Sequence, residues 1–317
     1  MTILAFSIDA KQMKNLIEAI RPTTFIESKS LSKLFGADIT IAAETFQHTG
    51  SFKFRAAYNV ALNVPNSHII TASSGNFGQA LALACQILNK KCTVVMPDTS
   101  AKVKIEGVKS FDATVDLVTT KKIGRTERVN QLMQENAEAY RASAFDDLLV
   151  IEGNATLGDE IAKNKKQFDF IVSPIGGGGL VSGVITGLHR NGNNAAVLGA
   201  EPLLANDAAR SLREGKIINN EYEPQTIADG ARTLSLGNHN WKIIKNSVKE
   251  IFEVSEENIT EALKVLFTFA NLKVEPTAAL SLGAVMEYPE IFIGKKVCLV
   301  VSGGNVDMEV YKRILES

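Results

Sequence analysis

Hydrophobic positions along the chain recur at two periods. Residues 10–20 place Met13, Leu16, Ile17 and Ile20 on one helical face. Pro22 stops that helix, because the residue before a proline is pushed out of helical geometry. Residues 38–43 alternate as a strand does, and a helix through Ala56, Ala57, Val60 and Ala61 follows Lys53. The two periods then take turns. Stretches 69–72, 92–96, 114–118 and 140–142 read as strands. Between them lie helices, one carrying Leu81, Leu83, Ala84 and Leu88, the others over 100–110 and 125–138. A second series has a helix over 156–163, a strand over 168–173, a helix over 180–189 and a strand over 197–200. Residues 215–240 carry Gly, Pro and Asn without a period and read mostly as loop. Ser255 reads as an N-cap, with Glu256 and Glu257 suited to the positive end of the helix that follows. A helix over 277–286, a buried strand over 297–301 and a helix over 306–315 complete the pattern. Strands alternating with helices predict an α/β fold with mostly parallel sheets flanked by helices.

Composition narrows the function classes. A chain of 317 residues, 45% of them hydrophobic, has the material for two modest domains or one large α/β unit and is not disordered. Its 34 basic and 35 acidic residues leave a net charge of −1 with no basic block, which argues against nucleic acid. Cys85, Cys92 and Cys298 stand in apolar surroundings without a C-x-x-C, so neither a disulfide framework nor a cysteine-rich zinc site is expected. They fit a reducing cytoplasm. The apolar run at residues 1–9 is too short for a signal peptide, and no run reaches membrane-spanning length, so a cytoplasmic protein is expected.

Candidate chemistry centres on Thr49-Gly50-Ser51-Phe52-Lys53-Phe54-Arg55. A lysine set between two phenylalanines loses cation solvation as it is drawn in, and its amine becomes a nucleophile suited to a Schiff base. The plainer reading is a snorkelling lysine at a helix start. Gly176 to Gly179 follow one buried strand and open a helix, leaving backbone N–H groups bare for an anion. No Gly-Lys-Ser/Thr follows, and the run is not G-x-G-x-x-G. Ser302-Gly303-Gly304-Asn305 ends another buried strand, where Ser302 alone would read as a cap. Ser73-Ser74-Gly75-Asn76 ends a third, again an N–H-rich turn suited to a carboxylate. Glu201 and Asp207, with the Ala205 carbonyl, offer hard oxygen ligands for Mg²⁺ or Ca²⁺, although a strand-end Glu and a helix-start Asp would look the same. The four histidines form no metal-ligand pattern, and Ser30-Leu31-Ser32-Lys33 reads as a polar helix start.

These stretches, with Glu275-Pro276-Thr277, resemble in identity and order the motifs of fold-type II pyridoxal-phosphate (PLP) enzymes, the family of serine/threonine dehydratases and serine racemases. The resemblance spans essentially the whole chain. It implies a tryptophan synthase β-like fold of two domains, a large one over 1–67 and 146–317 and a small one over 68–145. It implies that Lys53 carries PLP as a Schiff base, that Gly176, Gly177, Gly178 and Gly179 with Leu180 hold the phosphate, and that Phe52, Asn76 and Glu275 line the cofactor, Asn76 toward the ring oxygen. Ser302 would meet the pyridine nitrogen. A hydroxyl there keeps the nitrogen protonated far less than an aspartate would, which suits short-lived carbanions. The turn Ser73, Ser74, Gly75 and Asn76 would take the substrate carboxylate. Ser74 would face the side of Cα opposite Lys53 and serve as a second acid/base, or be only a capping serine. Relatives often carry histidine where this chain has Phe77, which bears on substrate choice, and His48 replaces a lysine used for ATP in some relatives, so ATP is not carried over. The reading is a homodimeric PLP-dependent ammonia-lyase (dehydratase) for L-threonine or L-serine, releasing a 2-keto acid and ammonia. The alternatives are a serine racemase or a 3-hydroxyaspartate lyase.

Overall fold

The computed structural model describes residues 9–73, 75–100 and 102–317. In chain order the elements are α1 (Ala10–Ala19), β1 (Thr24–Glu27), α2 (Lys29–Phe35), β2 (Asp38–Ala43), α3 (Lys53–Asn63), β3 (His68–Ala72), α4 (Asn76–Ile87) and β4 (Lys91–Pro97). Then come α5 (Lys102–Lys109), β5 (Thr114–Val118), α6 (Arg125–Glu135), β6 (Tyr140–Ala142), α7 (Leu148–Ala162), β7 (Phe170–Pro174), α8 (Gly179–Arg190) and β8 (Ala196–Pro202). The chain finishes with α9 (Asp207–Glu214), α10 (Asn238–Ser247), β9 (Val248–Val254), α11 (Glu256–Ala270), α12 (Pro276–Glu287), α13 (Pro289–Phe292), β10 (Lys296–Val301) and α14 (Met308–Glu316).

Two compact units result, one of residues 1–21 and 53–153, the other of 22–52 and 154–317. The stretch 68–145, expected as a small domain, lies wholly within the first.

The first unit holds a four-stranded sheet in the order β5-β4-β3-β6, parallel throughout. Side chains alternate across a strand. Accordingly Ile69 and Val94 enter one core with Leu16, Phe54 and Leu81, while Ile70 and Val95 enter another with Val118 and Val129. Both faces are covered, as a parallel sheet requires.

In the second unit the sheet order is β1-β2-β10-β7-β8-β9. Among its described strands only the edge strand β1 runs antiparallel; it pairs with β2. Val297, Leu299 and Val301 face a core with Leu266 and Leu280, and Cys298 and Val300 face one with Leu157 and Val181. Each such large side chain contributes roughly 1.5–3 kcal/mol when fully buried. The consequence for function is placement. β7 and β10 are neighbours at the centre of the sheet, so the turns that follow them open at the same edge. The carboxyl ends of strands are where ligands bind in open α/β sheets.

Several elements escaped the periodic reading. β1 and β9 were not expected, α9 starts at Asp207 as the plainer reading of that carboxylate has it, and α10 begins at Asn238 inside the stretch read mostly as loop. Its anchors are Trp241 and Ile244, three apart and both buried, but Asn238, His239 and Asn240 ahead of them disguise the start. α7 begins at Leu148, eight residues before the expected helix, because the Leu149 amide donates to the Asp147 carboxylate and Val150 and Ile151 are buried.

Candidate active site

In the second unit the turn after β7 becomes the N-terminus of α8. Gly178 is the N-cap, with φ 90° and ψ −3°, a left-handed conformation that glycine adopts without strain. A Cβ there would lie 2.8 Å from Ile244 Cδ1 and 3.0 Å from Asn240 Cβ, and one on Gly176 would lie 2.8 Å from the Gly230 carbonyl oxygen. The first-turn amides of α8 have no intrahelical acceptor, which is the general basis of anion binding at a helix start. α8 lies tight on the 154–162 part of α7 because Gly158, Gly183 and Gly187 let backbones touch: a Cβ on each would collide with Val184, Asn154 and Ala155 respectively.

One strand away, Ser302 follows β10 and is 2% exposed. Its Oγ has no hydrogen-bond partner. A buried hydroxyl without a partner is rare and calls for a ligand or solvent molecule. Its carbonyl accepts the Phe52 amide at 3.0 Å, Ser51 pairs with Gly303 in an antiparallel bridge, and Gly304 donates to Gly50 at 2.9 Å. Glu275, 4% exposed and N-cap of α12, donates its amide to the Gly303 carbonyl at 3.1 Å. Phe52 belongs to the same buried cluster as Ile175, Leu180 and Val181. Phe52, Gly176–Gly179, Leu180, Glu275 and Ser302 therefore cluster at one sheet edge. The sequence reading did not single out the buried hydroxyls of Thr45 and Ser51, which also lack partners.

In the first unit Lys53 opens α3. Its Nζ donates to the Ala144 carbonyl at 2.9 Å and lies 5.9 Å from the centre of the Phe77 ring. Ala144 follows β6, the neighbour of β3, and the turn 73–76 follows β3 itself. Ser73 Oγ accepts the Gly78 amide at 3.0 Å and the Gly75 amide at 3.4 Å, so this hydroxyl ties the turn together. Asn76 begins α4 directly after the N-cap Gly75. Phe77, 1% exposed, joins the core with Phe54 and Leu81. Ser74, the expected second acid/base, lies outside the described residues.

Glu201 and Asp207 are each 1% exposed. Glu201 accepts the Ala209 amide at 2.6 Å and the Ala208 amide at 3.2 Å. Burial pushes its carboxyl well up, and the charge of Asp207 adds to that. Asp207 accepts from Asn220 Nδ2 at 2.8 Å through Oδ1, while Oδ2 has no partner. Burial raises its carboxyl to about 7. Ala205 sits between them, buried in a 3₁₀ turn over Leu203–Ala205. Glu253 adds a third charge to the field at Glu201. Burial works to raise the Glu253 carboxyl, but bonds from Arg213 at 2.6 Å and Asn206 hold it below its usual range. Among the described residues no group of three His, Cys, Asp or Glu is arranged to hold a metal ion. Two buried carboxylates, one with a bare oxygen, nonetheless have the donor chemistry of a hard cation.

Comparison with known proteins accords with this arrangement. The family model for pyridoxal-phosphate dependent enzymes matches residues 16–303. L-threo-3-hydroxyaspartate ammonia-lyase of Saccharomyces cerevisiae is 33% identical over 302 residues, covering 94% of this chain and 92% of that one. Serine racemase of Homo sapiens is 32% identical over 318 residues, covering 96% and 92%. Among solved structures, serine racemase from Dictyostelium discoideum superposes with a TM-score of 0.86 at 33% identity, covering 94% of this chain and 97% of that one. A threonine deaminase superposes with a TM-score of 0.88 at 36% identity, covering 95% and 99%. The chain belongs to the pyridoxal-phosphate dependent enzyme family, and its fold is that of the fold-type II members.

The residues fit such a cofactor on two counts. The glycine turn offers a helix-start anion site, and Ser302 offers a buried, unpartnered hydroxyl at the same sheet edge. No described helix is long and apolar enough to cross a membrane, and Cys85, Cys92 and Cys298 are buried free thiols.

Proposed function

We propose that this protein is an ammonia-lyase for β-hydroxy-α-amino acids, with 3-hydroxyaspartate and L-serine as its foremost substrates. The sequence alone favours L-threonine or L-serine. The relatives named for 3-hydroxyaspartate and for serine racemisation move the weight to the alternatives. The observation that carries the reading is Ser302: a neutral hydroxyl, buried and unpartnered, where the cofactor ring nitrogen would sit.

In this reading Lys53 holds the cofactor covalently, the amides of Gly176–Gly179 and Leu180 hold its phosphate, and Phe52, Asn76 and Glu275 line it. Bound pyridoxal phosphate supplies the electron sink for charge developing at the substrate Cα. The turn 73–76 orients the substrate carboxylate at the start of α4. Lys53, once its amine is free, takes the Cα proton, and its short reach to the Ala144 carbonyl keeps that amine in place. The β-hydroxyl departs, and hydrolysis of the unsaturated product gives a 2-keto acid and ammonia. Ser302 donates to or accepts from the ring nitrogen without adding a charge, so the sink stays weak and favours prompt loss of the β-substituent.

A second reading, serine racemase, rests on the same proton removal with Ser74 returning a proton to the opposite face; the racemase relatives favour it. Glu201, Asp207 and the Ala205 carbonyl form the proposed Mg²⁺ or Ca²⁺ site, supported by the bare Asp207 Oδ2. We further propose a homodimer, for which the exposed side chains Phe46, Phe269 and Met308 supply apolar surface. Purified protein given L-threo-3-hydroxyaspartate, L-serine and L-threonine, with keto acid and enantiomers measured together, tests the reading. Keto acid from the first two supports it, whereas turnover of L-threonine alone restores the original expectation.

A further inference from the structure

Two buried asparagines that the sequence reading passed over grip the glycine turn from behind. Asn240, fully buried on α10, donates Nδ2 to the Gly177 carbonyl at 2.7 Å. The Gly237 amide reaches the same oxygen at 3.1 Å. Asn154, 1% exposed on α7, donates Nδ2 to the Gly179 carbonyl at 3.0 Å. The carbonyls on either side of Gly178 are thus both held by side-chain amides from different helices. The hold is close: the space a Cβ on Gly178 would need is filled by Asn240, and that on Gly183 by Asn154. Ser182 Oγ also donates to the Asn240 carbonyl at 3.5 Å, joining the first turn of α8 to α10.

Peptide planarity turns this into a statement about direction. A trans peptide carries its N–H on the side opposite its C=O. Fixing the Gly177 oxygen against Asn240 turns the Gly178 N–H away from α10. Fixing the Gly179 oxygen against Asn154 turns the Leu180 N–H away from α7. Without those donors the Gly177–Gly178 peptide, flanked by glycines and free in φ and ψ, has little to stop it flipping and presenting an oxygen to an anion. Preset donors cost no reorganisation when the anion arrives.

We propose that Asn240 and Asn154 are positioning residues for phosphate: they act through the glycine turn and set which of its atoms face the cofactor's dianion. This rests on the reading of Gly176–Gly179 as the phosphate site.

The test uses the full chain, stripped of cofactor with a competing amine, and the variants Asn240→Asp and Asn154→Asp. Each keeps the side-chain volume and removes the donor. Asn240→Ser is a neutral third variant should the carboxylate prevent folding. Dissociation constants are measured for pyridoxal phosphate and for unphosphorylated pyridoxal, and the phosphorus-31 resonance is recorded on the reloaded protein. Losing a preset donor is expected to weaken pyridoxal phosphate by about tenfold or more while pyridoxal changes less than about twofold. The phosphorus resonance should shift or broaden. Equal weakening of both ligands, or none in any variant, overturns the proposal. If the unsubstituted protein binds both ligands equally, the phosphate reading of the glycine turn fails as well, which separates the two claims.

Discussion

Ser51 faces Gly303 across an antiparallel bridge so closely that a Cβ on Gly303 would lie 2.8 Å from Ser51 Cβ and 3.0 Å from Glu275 Oε1. The residue before Phe52 and Lys53 is thereby pinned to the residue after Ser302. Gly303→Ala must part the two segments. Overpacking of this kind costs about 1–3 kcal/mol. We expect a lower midpoint in thermal unfolding and weaker cofactor retention in dialysis. An unchanged midpoint would mean that the bridge yields freely.

The paired carboxylates make stability depend on pH. Asp207 in the folded protein is raised to about 7 from an ordinary 3.8, with burial the main cause. The folded state therefore holds a proton that the unfolded state has lost across that interval. Stability is greatest below the ordinary value and is lost as pH rises toward 7. In the absence of divalent cations, melting temperature should fall between about pH 4 and pH 7. Mg²⁺ or Ca²⁺ added at pH 8 should restore it, since a ligand of the folded state alone stabilises by mass action. Asp207→Asn should make the pH slope shallower, leaving the part that buried Glu201 contributes, and abolish the response to cation. A melting curve that ignores chelator and cation at pH 8 would leave Glu201 and Asp207 as structural groups, with Glu201 serving only to cap α9.

In the proposed reading Ser74 separates elimination, which would need only Lys53 on one face of Cα, from racemisation, which would need a second proton carrier on the other. Ser74→Ala should lower any racemisation of L-serine by roughly 10²–10⁴-fold, the usual worth of one acid/base group. It should largely spare keto-acid formation. Chiral chromatography with a keto-acid assay on the same samples checks both. Equal loss of the two would assign Ser74 to substrate binding.

The places of the candidate residues along the chain were legible before the fold, and the reason is chemical. Lys53 opens a helix in the first unit, and in the second the glycine run and Ser302 each follow a strand whose buried apolar run is plain in sequence. The same holds for the alternating strands, whose buried runs at β3, β4, β7 and β10 left little choice. What stayed hidden depends on distant pairing. Asn154 and Asn240 are ordinary helix residues in sequence, and only packing brings their amides to Gly179 and Gly177. β1 carries no clean alternation because, at the sheet edge, three of its four residues are half-buried and one is exposed. Ser73, expected at the substrate carboxylate, uses its hydroxyl on the amides of Gly75 and Gly78, a local bond that residue type alone does not reveal.

The central claim is a covalent cofactor on Lys53, whose amine lies 2.9 Å from the Ala144 carbonyl and beside the Phe77 ring. The direct measurement is borohydride reduction of the purified, pyridoxal-phosphate-loaded protein followed by peptide mass analysis. The account expects a visible absorbance band that borohydride abolishes and one reduced pyridoxyl adduct, on the peptide containing Lys53, absent from Lys53→Ala. A colourless protein that takes up no cofactor, or an adduct on a different lysine, would contradict it.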